Sequence, residues 1–107
     1  ILDCGFLALS RDRGTARQAH DYGYGLVCGI DGKPLADGTI VLTGTNQEHG
    51  ILTHPENSPL TQEDFPIGRR LRILPNHACP TAAPYASLVL IENGRVAEVL
   101  DHVRGWD

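Results

Sequence analysis

The stretch Ser87-Leu88-Val89-Leu90-Ile91-Glu92-Asn93-Gly94-Arg95-Val96-Ala97-Glu98-Val99 decides the fold class. Two runs rich in branched aliphatic residues flank an Asn-Gly pair, which adopts the positive φ angles of a tight hairpin turn more readily than other dipeptides do. Residues 86–91 and 96–103 are therefore predicted to be an antiparallel pair. Working outward, residues 70–73 alternate Arg70, Leu71, Arg72, Ile73, as a half-buried strand does. Residues 39–45 alternate Ile40 and Leu42 against Val41 and Thr43, and residues 22–28 read as another short strand. Asp31-Gly32 and Asp37-Gly38 are turn dipeptides. Residues 1–9 alternate loosely, predicting a strand buried on both faces, with Gly5 marking a close backbone approach. Residues 10–14 turn the chain, residues 15–19 suit one helical turn, and residues 51–67, with three prolines, read as a surface loop. Six or so strands with frequent turns predict an all-β fold, a small barrel or sandwich.

Length and composition narrow the setting. A chain of 107 residues supports one modest core. Its net charge of −4, with acids and bases interspersed, gives no basic stripe for nucleic acid. No apolar run is long enough to span a membrane as a helix. Three cysteines without small-scaffold spacing argue against a disulfide framework and for a reducing, cytoplasmic location. The sequence has no methionine and starts Ile1-Leu2-Asp3, which predicts a piece of a longer chain, incomplete at its N-terminus.

Leu74-Pro75-Asn76-His77-Ala78-Cys79-Pro80-Thr81 carries the most specific chemistry. Two prolines bracket it, predicting a stiff, non-helical loop. An imidazole and a thiol at i and i+2 leave extended backbone on the same side and suit zinc better than magnesium or calcium. A structural zinc site normally takes four ligands, so spacing alone also allows a chance His-x-Cys. Glu48 and His49 follow the 39–45 strand, where Glu48 can orient the imidazole. Thr81 and Tyr85 flank the loop and either line a pocket or pack beneath it. Cys4 and Cys28 lie among apolar residues, as small hydrophobes do.

The loop resembles the metal-binding signature of the D-serine dehydratase and D-threonine aldolase family, pyridoxal phosphate enzymes of alanine-racemase-type architecture. Three further stretches match in order. Asp3-Cys4-Gly5-Phe6-Leu7-Ala8-Leu9-Ser10-Arg11-Asp12 is similar to a D-x-G-x-x-A-L-S-x-D segment. Gln47-Glu48-His49-Gly50 resembles E-E-H-G, with Gln47 departing. Ile67-Gly68-Arg69 resembles the lead-in to the metal loop, with Arg69 in place of an acid. The resemblance implies the C-terminal β-domain of such an enzyme, with His77 and Cys79 as ligands of Zn2+ or another divalent ion such as Mn2+. It implies that the ion contacts the β-hydroxyl of a small D-amino acid, that Cys79 favours the dehydratase over the aldolase branch, and that His49, in a segment near the substrate pocket, has a catalytic role; by their positions Glu48, Thr81 and Tyr85 are substrate-pocket candidates.

The resemblance also implies that pyridoxal phosphate belongs to a separate N-terminal barrel, within a homodimeric parent. Such enzymes attach the cofactor through a lysine. The single lysine, Lys33, sits in the turn sequence Asp31-Gly32-Lys33-Pro34, so the chain alone is expected to be inactive. The competing expectation is an autonomous metal- or ligand-binding β-module without catalytic activity. A nucleophilic Cys79 activated by His49 is weaker, because no third member of a triad is identifiable.

Overall fold

Val27 and Cys28, with no exposed surface, mark the middle of the fold. They lie on β1 (Gly25–Cys28), which pairs antiparallel with β2 (Val41–Thr45) on one side and with β4 (Arg72–Pro75) on the other. β3 (Gly50–Thr53) pairs with β2, giving the strand order β3-β2-β1-β4. A computed structural model describes residues 1–54 and 59–103. Branched and aliphatic residues account for these strands: Val27, Ile40, Val41 and Leu42 fill the small core together with Leu9 and Cys28. β2 carries a bulge at Thr43, where the register shifts between Leu42 and Gly44. The Thr43 hydroxyl meets that of Thr53 across the strands at 2.7 Å.

A second sheet is the hairpin of β5 (Ser87–Glu92) and β6 (Arg95–Asp101). Its turn is the Asn93-Gly94 pair, with φ of 51° and 75° as the dipeptide predicts. Register places Leu88 opposite Leu100 and, on the other face, Val89 opposite Val99. Both faces are exposed along the whole ribbon. The architecture is thus mostly strand, in two antiparallel sheets, and the sheets do not close into a barrel among the described residues.

Four local expectations are corrected. Residues 1–9 are not a continuous strand: Leu2 makes an isolated bridge to Gly50, and Phe6–Leu9 is a helical turn, α1. The apolar run looked two-sided because α1 buries Leu9 while Leu2 sits beside β3. Residues 51–53 belong to β3 and not to a loop, since a short strand beside prolines has too little alternation to register. The loop between the two prolines is helical from Ala78 to Ala82, forming α2. Pro80 falls in the first turn, where its missing N–H has no partner to lose. Residues 15–19 form hydrogen-bonded turns in place of a helical turn, with Gln18 N–H donating to the Thr15 carbonyl at 2.9 Å.

Gly5 fulfils its expectation. A Cβ at position 5 would stand 2.4 Å from the Asn46 carbonyl oxygen and 2.5 Å from that of Gln47. Both carbonyls accept hydrogen bonds from α1, from Phe6 N–H at 3.0 Å and Leu7 N–H at 3.2 Å. Gly5→Ala is therefore expected to destabilise the intact protein by about 1–3 kcal/mol, the cost of forcing backbone apart in a packed region. Gly14→Ala, whose Cβ would meet nothing closer than 3.6 Å, should stay within about 0.5 kcal/mol. Denaturant unfolding of both variants checks the contrast.

Candidate metal centre

His77 occupies the position just before α2, with extended φ and ψ of −137° and 109°, and Asn76 alone separates it from β4. Its Nδ1 hydrogen-bonds the carboxylate of Asp12, a residue 65 positions earlier in the loop after α1. The two side chains are 46% and 38% exposed. Cys79 follows in the first turn of α2, exposed and with a free thiol. The i, i+2 relation is thus delivered by a helix start and not by extended backbone.

Thr81 and Tyr85 hold this region together. The Thr81 hydroxyl lies within hydrogen-bond reach of the Leu9 carbonyl and of the His77 carbonyl, the latter at 2.8 Å. The Tyr85 hydroxyl donates to the Ala8 carbonyl at 3.2 Å. Both hydroxyls are spent on carbonyls, two of them in α1, a holding role more than a lining one. α1 is in turn seated on the loop joining β2 to β3, which contains Gln47, Glu48 and His49. The Glu48 and His49 side chains are exposed there. Among the described residues they make no hydrogen bond to one another and none to Cys79, so neither the orienting contact nor a Cys-His pair is formed.

Asn76 is a hub that sequence reasoning passed over. Its Nδ2 donates to Thr15 Oγ1 at 2.8 Å and to the Gly23 carbonyl at 2.5 Å, while its buried Oδ1 has no hydrogen-bond partner. Thr15 in turn donates to Asp21 at 3.2 Å, and Asp21 accepts from Arg13 at 2.5 Å and from Gly23 N–H at 2.9 Å. The Gly23 amide chiefly holds the Asp21 carboxyl below its ordinary range; desolvation opposes it, and the Arg13 charge with the Thr15 and Arg13 side-chain hydrogen bonds adds to the lowering. Burial pushes the thiols of Cys4 and Cys28 up, with the charges of Asp3 and Asp31 adding to it. Such thiols are poor ligands and nucleophiles. An apolar role for both cysteines stands.

Among the described residues, no group of three or more His, Cys, Asp and Glu side chains could hold a metal ion. One cleft of about 830 Å3, walled by Leu2, Leu52, His54, Phe65 and Arg69, includes neither His77 nor Cys79 in its lining. A hollow of about 210 Å3 is lined in part by Pro75 and Asn76, in the loop that carries His77 and Cys79. No helix among the described residues is long and apolar enough to cross a membrane.

Residues 1–91 match the family model described as "Putative serine dehydratase domain". The chain belongs to this serine dehydratase domain family. It is 44% identical to the D-threo-3-hydroxyaspartate dehydratase of Delftia sp. (strain HT23) over 99% of the chain and 28% of that enzyme's length. The structure of that enzyme superposes with a TM-score of 0.85, covering 97% of this chain and 27% of the other. Solved mutants of the same enzyme include a histidine-to-alanine form and a cysteine-to-alanine form, altered at positions two residues apart, the latter in a metal-free form. The D-serine dehydratase of Dictyostelium discoideum is 31% identical over 87% of the chain and 22% of its own length. An alanine-racemase-like protein of Idiomarina loihiensis superposes with a TM-score of 0.80 at 43% identity, covering 97% of this chain and 27% of that one. The fold is therefore that of the corresponding domain in alanine-racemase-like proteins, and the chain spans little more than a quarter of the Delftia relative.

Two outcomes follow from the hydrogen-bond pattern. Thr81→Val should cost about 0.5–1.5 kcal/mol in denaturant unfolding of the intact protein, since it removes the hydroxyl donor from the part-buried contact with the Leu9 carbonyl, whereas Thr81→Ser should recover most of it. Asp21 has a lowered folded value, so its contribution is present above about pH 4 and is lost as pH falls through that lowered value. The protection of the Gly23 amide, its exchange rate taken relative to the intrinsic rate at each pH, should fall over that acid window in the native protein, and Asp21→Asn should remove this fall in protection.

Proposed function

We propose that the chain is the metal-binding part of a pyridoxal phosphate-dependent lyase that dehydrates β-hydroxy D-amino acids. What carries the reading is the pairing of His77 and Cys79 at the head of α2, in a chain 44% identical to a D-threo-3-hydroxyaspartate dehydratase along nearly its whole length. The donor set fits a divalent ion. An imidazole and an exposed thiol are borderline-to-soft ligands of the kind zinc takes, and two protein donors leave positions open for water and substrate, as catalytic sites require. A divalent ion held there supplies Lewis acidity toward the substrate's β-hydroxyl oxygen.

The residues of this chain do the rest of the local work. Thr81 fixes the carbonyl of His77 against α1, so the ligand loop cannot drift from the N-terminal segment. Asn76 pins the same loop to Thr15 and Gly23 on its other side. Held from both sides, His77 and Cys79 keep one spacing while a substrate enters and leaves, and the pre-set geometry is what makes an electrostatic stabiliser effective. The cofactor lysine is supplied by the remaining part of the intact protein, because Lys33 is exposed in the turn that follows β1. Both named enzymatic relatives are dehydratases, which favours elimination of water over carbon–carbon cleavage.

In the intact protein, His77→Ala and Cys79→Ala should each lower zinc binding at least tenfold. They should depress kcat for D-serine or D-threo-3-hydroxyaspartate by roughly 10²-fold, the order expected on losing one electrostatic stabiliser. β-Chloro-D-alanine, with a better leaving group, should be slowed far less. Equal slowing of all three substrates, with zinc binding intact, would mean that these residues hold the fold.

A further inference from the structure

Asp12 ends the N-terminal motif and has no task in the function proposed above. The loop that carries it offers two other partners for its carboxylate, Arg11 and Arg13. Neither takes it: the Arg11 guanidinium lies over the Phe6 ring, 4.1 Å from its centre, and Arg13 pairs with Asp21 and approaches the Tyr24 ring at 5.5 Å. The carboxylate turns instead to His77 Nδ1. The backbone behind it is fixed. Ser10 takes a φ of 99°, an unusual value for a residue with a side chain, and its hydroxyl accepts from Asp12 N–H at 3.2 Å. Just before Ser10, α1 is tied to α2 through Leu9 to Thr81 and to the segment after α2 through Ala8 to Tyr85. Asp12 therefore reaches His77 from a braced segment and not from a loose surface loop.

A carboxylate only accepts, so Nδ1 must carry the proton in this contact. In a neutral imidazole that leaves the lone pair on Nε2, and the partner of one ring nitrogen determines which nitrogen is available to a ligand. We infer that Asp12 is a positioning residue that fixes the Nδ1–H tautomer and ring orientation of His77, so that Nε2 is the atom presented to a divalent cation. The inference rests on His77 being a metal ligand. It adds that the first motif and the metal loop, separated by more than half the chain, are coupled in function by the Asp12–His77 hydrogen bond. Carboxylates behind metal-binding histidines act in this manner and typically change affinity 10- to 100-fold when removed.

The test uses the intact protein, stripped of metal and labelled with 15N in its histidines, with His77 assigned by comparison with His77→Gln. The His77 resonances should show a protonated Nδ1, and Asp12→Ala should shift them toward the Nε2-protonated form. Titration with zinc chloride should give about 10- to 100-fold weaker binding in Asp12→Ala. Asp12→Asn preserves size and so guards against misfolding. Its amide can accept from or donate to Nδ1, no longer selecting one tautomer, and it should weaken zinc at least tenfold. Unchanged tautomer and unchanged zinc affinity in both Asp12 variants, with affinity lost in His77→Gln, would overturn the role of Asp12 and leave the metal site standing. Unchanged affinity in His77→Gln would overturn both.

Discussion

The absence of a side chain at position 5 lets α1 lie against the carbonyls of Asn46 and Gln47, closer than any Cβ would permit. That contact locates a helix of only four residues, which has no stability of its own. Once seated, α1 delivers three things at fixed places: Leu9 into the core, the Leu9 and Ala8 carbonyls to Thr81 of α2 and to Tyr85 beyond it, and the loop bearing Asp12 to His77. The candidate site is therefore assembled from segments far apart in sequence by backbone fit. Side-chain burial, limited to a handful of core residues, plays a smaller part.

Much of this was legible in the residues. The Asn93-Gly94 hairpin, the strands around Val27 and Leu42, and the close approach at Gly5 each follow from a local rule with a strong physical basis. The failures cluster where tertiary contacts outweigh local preference. Phe6–Leu9 reads as strand because its alternation is real, yet a single helical turn is stable there once the carbonyls of residues 46 and 47 receive its first N–H groups. Pro80 reads as a helix breaker, but in the first turn of α2 it removes no hydrogen bond. β3 is short and one-sided, and prolines follow it closely.

At the candidate site, the resemblance of the loop around His77 and Cys79 to a metal-binding signature pointed to these two residues, where their spacing alone did not decide. Nothing in the sequence pointed to Asn76, and no partner for Asp12 was visible there, because the importance of both lies in what folding places beside them. An asparagine before a histidine carries no signal until Thr15 and Gly23 are found at its amide. Asp12 could have been suspected as the last residue of a matched motif, since a carboxylate at a fixed place invites a fixed partner. Thr81 and Tyr85 were noticed for their position beside the loop, and the structure shows hydroxyls turned toward the backbone of α1.

The β5–β6 ribbon has a different implication. Its leucines and valines face outward on both sides, and it stands at the end of the described chain with two unpaired strand edges. A two-stranded ribbon of this composition is marginal in water and offers a template for other strands. An expression product limited to these residues would therefore meet a solubility problem before a catalytic one. Its concentration limit would be set by the ribbon, and placing charged side chains at Val89 and Val99 would relieve it while leaving the segments around His77 unchanged.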